Sequence, residues 1–462
     1  MVFSGLIFLF VFLPLVLLVT FALPAKFRNG FLFLANLIFY AWGEPIFVFI
    51  MIASVIINYG VGRAMEKFSG KIKLIMALGI VADLALLFFF KYAGFVREIL
   101  TSLTGLTFGH FPEIALPIGI SFYTFQAVSY LIDVYRGTVK AERSFIDFGM
   151  YLSFFPQLIA GPIVRYEEMA ADLKKRAVTL PMFGEGVRLF LIGLGKKVLI
   201  ANEMGVLWET LRPLAATEGL LCAYVGIIAY AFQIYFDFSG YSDMARGLGR
   251  MFGFRLPVNF NYPYSAVGVT DFWRRWHMTL TQWFRDYIYI PMGGNRCGIG
   301  RNIFNIFVIW ALTGLWHGAD YNFLLWGIYW FVLLTAEKFV LRKPLAKLPG
   351  ALKHLYTGFF ILMGWVLFAI TDMTEVGSYY QALFSLKNGF CGGDSLSYII
   401  SYLPLLAVAF IASQRFGKNL WERLQNPKLK GVLEIGGLAL LFFLAVASLV
   451  NGSYNPFLYF RF

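Results

Sequence analysis

Charge is scarce in this 462-residue chain: Asp, Glu, Lys and Arg make up 14% of it, against about 25% in soluble domains. A water-exposed surface needs more charge than that, which argues against a soluble fold. Cysteine is scarce too. Cys222, Cys297 and Cys391 have no metal or redox spacing, and an odd count cannot close a full disulfide set, so packing roles are expected. There is no glycine-rich nucleotide loop and no metal-ligand spacing. No internal repeat, low-complexity tract or long linker interrupts the chain, so a single integral domain over 1–462 is expected. No Lys or Arg precedes Lys26, so the first apolar block lacks the basic start of a cleaved signal and reads as a retained span. Polar–apolar alternation is missing as well: Leu78–Phe90 and Leu438–Val450 are apolar at nearly every position, which excludes a β-barrel.

What remains is apolar. Hydrophobic residues make up 59% and aromatics 19%, and mean hydropathy is +0.69. The apolar residues fall in blocks of about 18–22, the length that crosses a bilayer as a helix. The expectation is an all-α polytopic membrane protein. Its spans would be Phe3–Leu23, Phe31–Trp42, Ile46–Val61, Leu74–Tyr92, Ile114–Ile132, Gly186–Val206, Leu220–Phe238, Ile303–Trp316, Phe323–Val340, Tyr356–Ile370, Tyr398–Ser413 and Val432–Val450, about 12 crossings. The net charge of +13 sits in clusters between these blocks, a positive-inside pattern rather than a nucleic-acid surface. Counted in order, every cluster falls on one side, which puts both termini outside the cytoplasm. Phe145–Ile159 would break that parity by crossing, and Pro156 and the Gly161-Pro162 step favour a re-entrant segment. Segment 246–301 is a long inner loop, amphipathic in Trp273–Tyr289.

Ionisable residues in such a chain mark candidate chemistry. Asp83 and Lys91 share a helix, where a structural aspartate and a snorkelling lysine are expected. Asp237, Ser239 and Asp243 lie at the inner end of a span, suited to a packing network or a donor entrance. The chain has four histidines. His110 and His354 sit in loops and read as solvated. His317, in Leu312-Thr313-Gly314-Leu315-Trp316-His317-Gly318-Ala319-Asp320, ends an apolar span between glycines. An imidazole there can take a proton from a hydroxyl and return it near neutral pH; a satisfied core histidine is the other reading. His277 lies 40 residues earlier, beside Trp273, Arg274, Arg275 and Trp276. That group suits a cationic aromatic wall for a phosphate-bearing donor, or an interfacial helix with snorkelling arginines.

At these residues the sequence resembles the membrane-bound O-acyltransferase family, in the bacterial branch that acetylates exported polysaccharide. The matching stretches are Leu116–Gln126, Leu131–Gly137, Phe154–Pro162, Phe236–Gly253, Asp271–Trp283 and Leu312–Asp320. The resemblance implies a ring of helices around a tunnel, with donor entering from the cytoplasm and acceptor reached from the other face. It makes His317 the catalytic residue and His277 the second signature position, with Trp316 and Asp320 among the tunnel candidates. It further implies acetyl-CoA as donor substrate, no permanently bound cofactor or metal, a polysaccharide acceptor, an extracytoplasmic hydrolase-like partner and a bacterial inner-membrane location. The tail 451–462 is an aromatic anchor or, by resemblance to tails in D-alanylation systems, an acyl relay through Tyr459. D-alanyl or other acyl transfer from a carrier-protein thioester is an alternative, a lipid-modifying acyltransferase of the same fold another, and a small-solute transporter a third of different class.

Overall fold

The computed structural model describes residues 1–106, 115–159, 161–452 and 457–458; these form helices and loops with no strand. The expected spans lie in helices for most of their length; 115–119 are irregular, and the first residues of the opening block from Phe3, together with the end residues Leu23, Ile46, Phe47 and Ile370, fall outside the helices. Eight helices among the described residues are long and apolar enough to cross a membrane: Val48–Lys67, Ser69–Thr104, Leu220–Met251, Ile299–His317, Tyr321–Lys347, Gly350–Ala369, Gly393–Ser413 and Pro427–Asn451. The other four expected spans are also helical but shorter or more polar. Phe8–Ala22 is a shorter apolar helix, Ala25–Gly43 opens with Lys26 and Arg28, and Ile120–Arg136 carries buried Ser121, Gln126 and Asp133. The fourth is divided by the π-helical turn Lys196–Ala201. Large apolar side chains such as Leu18, Phe49, Leu78, Val332, Ile435 and Phe443 point outward, the surface that lipid covers.

The described residues form two compact units. In the first, Met1–Phe190 with Tyr241–Pro257, the expected re-entrant segment is two short helices, Phe145–Ser153 and Phe155–Leu158. Broken backbone away from water needs other partners for its polar groups. Asn36, fully buried, supplies them: its Oδ1 accepts the Phe155 N–H at 3.1 Å and its Nδ2 donates to the Met150 carbonyl at 3.4 Å. Gln157 Nε2 adds a bond to the Tyr151 carbonyl at 2.6 Å. Asp83 is the structural residue expected, taking a hydrogen bond from Asn58 at 2.8 Å. Lys91 is partly buried and donates to the Ser121 hydroxyl at 3.3 Å.

The second unit, Leu191–Gly240 with Val258–Leu458, is organised around two antiparallel helices. Ile299–His317 ends at Gly318, and Asp320 starts Tyr321–Ala336 by accepting the Tyr321 N–H at 2.7 Å, a side-chain N-cap. The pair crosses on glycines. A Cβ on Gly314 would lie 2.4 Å from the Phe323 carbonyl oxygen, and one on Gly327 would lie 2.4 Å from that of Trp310. Small residues at a crossing let membrane helices approach to backbone contact, and here that approach brings His317 against Trp326.

Candidate active site

His277 is set by an unusual backbone. It precedes the helix Met278–Phe284 in the left-handed conformation, φ 41° and ψ 54°. Among the described residues only Tyr262 shares a positive φ without being glycine, and such a conformation costs about 1–3 kcal/mol. The segment around Asn259 offsets that cost. Its carbonyl accepts the Met278 N–H at 2.9 Å, and the Asn261 N–H donates to the Arg275 carbonyl at 3.0 Å. The Asn259 Oδ1 accepts from Thr279 N at 3.2 Å and Thr279 Oγ1 at 2.9 Å, and lies 3.1 Å from His277 Nδ1. A backbone N–H only donates, so the atom at this position is the amide oxygen. Nδ1 must therefore carry the proton and Nε2 the lone pair. Burial lowers the His277 pKa from 6.5 to about 3, so the ring is neutral at physiological pH.

His317 is 4% exposed and sits in an aromatic box. Ring centroids of Trp316, Trp326 and Phe368 lie 4.9, 5.0 and 5.0 Å away, all roughly edge to face. Trp316 is also 5.8 Å from His277, and Phe238 packs on the other imidazole at 4.7 Å. Both histidines thus contact one indole, that of Trp316.

Other indoles lead away from this pair. Trp326 is 6.0 Å from Trp310, and Trp273 meets Trp310, Trp330 and Trp326 at 4.8, 5.1 and 5.6 Å. The Nε1 donors of Trp273, Trp326 and Trp330 are buried with no hydrogen-bond partner among the described residues. Trp310 in turn walls a cavity of about 720 Å³ bordered by Thr270, Asp271, Arg274, Lys338 and Arg342. Glu337 gives one edge of that cavity its shape, its carboxylate accepting from Val269 N, Thr270 N and Thr270 Oγ1 at 2.7, 2.7 and 2.6 Å. Lys338 is tied to Asn295 and Asn302 at 2.6 and 2.7 Å.

The remaining sequence candidates separate. Arg274 lines the cavity, whereas Arg275 pairs with Asp271 at 3.0 Å. Trp276 is buried against Trp365, 5.0 Å away. With Trp273, Trp276 and His277 at 7, 3 and 2% exposure, this stretch is interior wall, not an interfacial helix with its aromatic face in lipid. Asp237 pairs with Lys197 at 2.7 Å, and Ser239 is buried with its hydroxyl unpartnered among the described residues. Asp243 belongs to the first unit, where it pairs with Arg246 at 3.1 Å. Asp320 is used as a helix cap. His354 is exposed but lies on the helix Gly350–Ala369 rather than in a loop, with Nδ1 3.0 Å from the Ala266 carbonyl. His110 and Tyr459 lie outside the described residues. Sequence reasoning missed Asn259, Trp310, Glu337, Lys338 and Arg342. Of these, Glu337 carried a signal as an acid within an apolar run, and Lys338 and Arg342 only as members of an inner basic cluster.

A multi-pass membrane protein with two buried histidines in a tryptophan-lined interior is a narrow class, and comparison with known proteins identifies it. The membrane-bound O-acyltransferase family matches residues 139–374, which include both histidines. The probable alginate O-acetylase AlgI of Pseudomonas putida is 36% identical over the full length of both chains. That of Pseudomonas aeruginosa is 40% identical over 83% of this chain and 75% of its own. The peptidoglycan O-acetyltransferase of Helicobacter pylori is 34% identical over 81% and 78%. The chain belongs to the membrane-bound O-acyltransferase family.

Proposed function

We propose that the protein is an O-acetyltransferase that moves an acetyl group from cytoplasmic acetyl-CoA across the bacterial inner membrane for O-acetylation of an exported polysaccharide. The observation that carries this reading is the chain of aromatic contacts that links the cationic cavity at Trp310, through Trp326, to His317. Arg274 and Arg342 supply guanidinium forks for the nucleotide phosphates. The unpartnered indole N–H groups suit the amide carbonyls of a pantetheine arm, since buried donors left by the protein are commonly satisfied by a ligand. His317 lies seven residues beyond Trp310 on one helix, roughly 10 Å at 1.5 Å per residue, within reach of that arm.

His317 then acts as general base. It takes the proton of an acceptor hydroxyl as the oxygen attacks the thioester carbonyl carbon; the C–S bond breaks, and the imidazolium returns the proton to the departing thiolate. His277 orients a reactant through Nε2. Tyr459 is the intermediate acceptor that passes acetyl on, and an extracytoplasmic hydrolase-like partner completes delivery to the polymer, with both termini on that side. Relatives named for alginate and for peptidoglycan both point to sugar hydroxyls as final acceptors. Family membership weighs against a transporter, and the cavity's cations favour CoA over a carrier-protein thioester.

The test is transfer of radiolabel from acetyl-CoA by reconstituted protein, with and without polysaccharide, comparing wild type with His317→Ala. Label reaching acceptor or protein in wild type alone supports the reading. Equal transfer by folded His317→Ala overturns the role of His317, and Tyr459→Phe with full activity and no acyl adduct by intact mass removes the relay.

A further inference from the structure

Lys197 and Asp237 form an ion pair with side chains only 5% and 2% exposed, Nζ and Oδ1 being 2.7 Å apart. Lys197 lies in the π-helical turn Lys196–Ala201 and Asp237 on the helix Leu220–Met251. Charges are rare within apolar helices and are expensive there unless paired and hydrogen-bonded on their remaining lone pairs. The second carboxylate oxygen of Asp237 is satisfied from far along the chain: Oδ2 accepts the Leu458 N–H at 2.9 Å, across 221 residues. Phe457 and Leu458 are themselves buried, at 6 and 7% exposure, and the Lys197 ammonium lies 5.9 Å from the Phe457 ring. A carboxylate and a cation therefore meet one short piece of the C-terminal segment whose own two apolar side chains are buried. The residue after Asp237 is Phe238, whose ring forms the wall of His277 at 4.7 Å.

We propose that Lys197 and Asp237 are positioning residues that dock the chain's own C-terminal segment at Phe457–Leu458, and that acyl transfer requires the docked segment. The pair acts through two links. Its carboxylate fixes the Leu458 backbone, and the same helical turn holds Phe238 against the imidazole. An apolar pair of similar size would pack as well or better, so what the ion pair adds is a directional acceptor for a backbone N–H. The catalytic arm of this proposal rests on the acyltransferase reading; the docking arm does not.

Hydrogen–deuterium exchange on the full-length protein in detergent reads docking directly, because the Leu458 amide is the donor. The charge-free variant Lys197→Met with Asp237→Leu removes the acceptor without stranding either charge. Its thermal unfolding should match wild type, its C-terminal peptide should exchange at least tenfold faster, and kcat for acetyl transfer should fall at least tenfold with KM for acetyl-CoA within twofold. Leu458→Pro removes the N–H and leaves the ion pair intact; it should lose kcat to the same extent. Wild-type exchange protection in the charge-free variant overturns the docking, and full activity of Leu458→Pro overturns the requirement for it. A wild-type protein with no acetyl transfer sinks the acyltransferase reading, with the exchange result still deciding docking.

Discussion

Asn259 accepts a hydrogen bond from His277 at 3.1 Å, and Thr279 fixes the direction of that bond by donating to the same oxygen through its backbone. The consequence is one tautomer, with the basic nitrogen at Nε2. Asn259→Leu keeps approximate size and removes the acceptor. A buried donor left unsatisfied costs about 1–3 kcal/mol, so kcat for acetyl transfer should fall roughly tenfold to a hundredfold. Thr279→Val, which spares the His277–Asn259 bond, should lose less. Equal kcat for Asn259→Leu and wild type in steady-state assays would show that the tautomer is irrelevant.

The same burial has a pH signature. Burial lowers the His277 pKa from its ordinary 6.5 to about 3. Its folded-state pKa is lowered, so the unfolded state binds a proton that the folded state refuses, and stability falls as pH drops from 6.5 toward 3. His277→Asn preserves an amide donor toward Asn259 and a residue type that tolerates left-handed backbone. Thermal unfolding in detergent at pH 7.5 and 5 should therefore show a smaller drop for the variant than for wild type. An identical drop in both proteins removes His277 from the acid response.

Much of this was legible in the sequence, and the exceptions have physical causes. Apolar block length located helices because a bilayer imposes a length. His317 stood out because an imidazole beside glycines at a span end is rare. The helix count was less legible: Ala25–Gly43 and Ile120–Arg136 carry polar residues that serve protein contacts, and hydropathy does not distinguish a lipid-facing helix from an enclosed one. Asn259 carried no signal, since its value depends on a fold that lays residues 259–261 beside 275–279. Asp237 and Asp243 look alike in one motif. Yet Asp243 makes a local i,i+3 pair with Arg246, whereas Asp237 binds Lys197 and the distant Leu458.

The glycine crossing is testable by stability. Gly314→Ala puts a methyl 2.4 Å from the backbone oxygen of Phe323, which cannot rotate away, whereas Gly300 on the same helix has nothing within 4 Å. Overpacking at such a site costs about 1–3 kcal/mol. Gly314→Ala should lower the unfolding midpoint by several degrees and reduce activity, since His317 follows three residues later on the helix. Gly300→Ala should do neither. Equal midpoints for the two variants would mean that the helices do not meet on Gly314.

The cationic cavity gives the sharpest separation of binding from chemistry. Arg274 and Arg342 line it, while Lys338 is committed to Asn295 and Asn302. If the two guanidinium groups hold donor phosphates, each contributes a charge-assisted bond of about 1.5–3 kcal/mol, made equally in the ground and transition states. Such uniform binding moves KM and leaves kcat alone. Arg274→Ala and Arg342→Ala should each raise KM for acetyl-CoA roughly tenfold or more, with kcat within twofold of wild type, and the penalty should shrink at high salt as screening weakens the wild-type contacts. Arg274→Lys should recover only part of the loss, because an ammonium cannot reproduce a bidentate fork. Lys338→Ala should instead lower stability, since it takes the donor from the Asn302 side-chain oxygen. Unchanged KM in both arginine variants would detach the cavity from the donor.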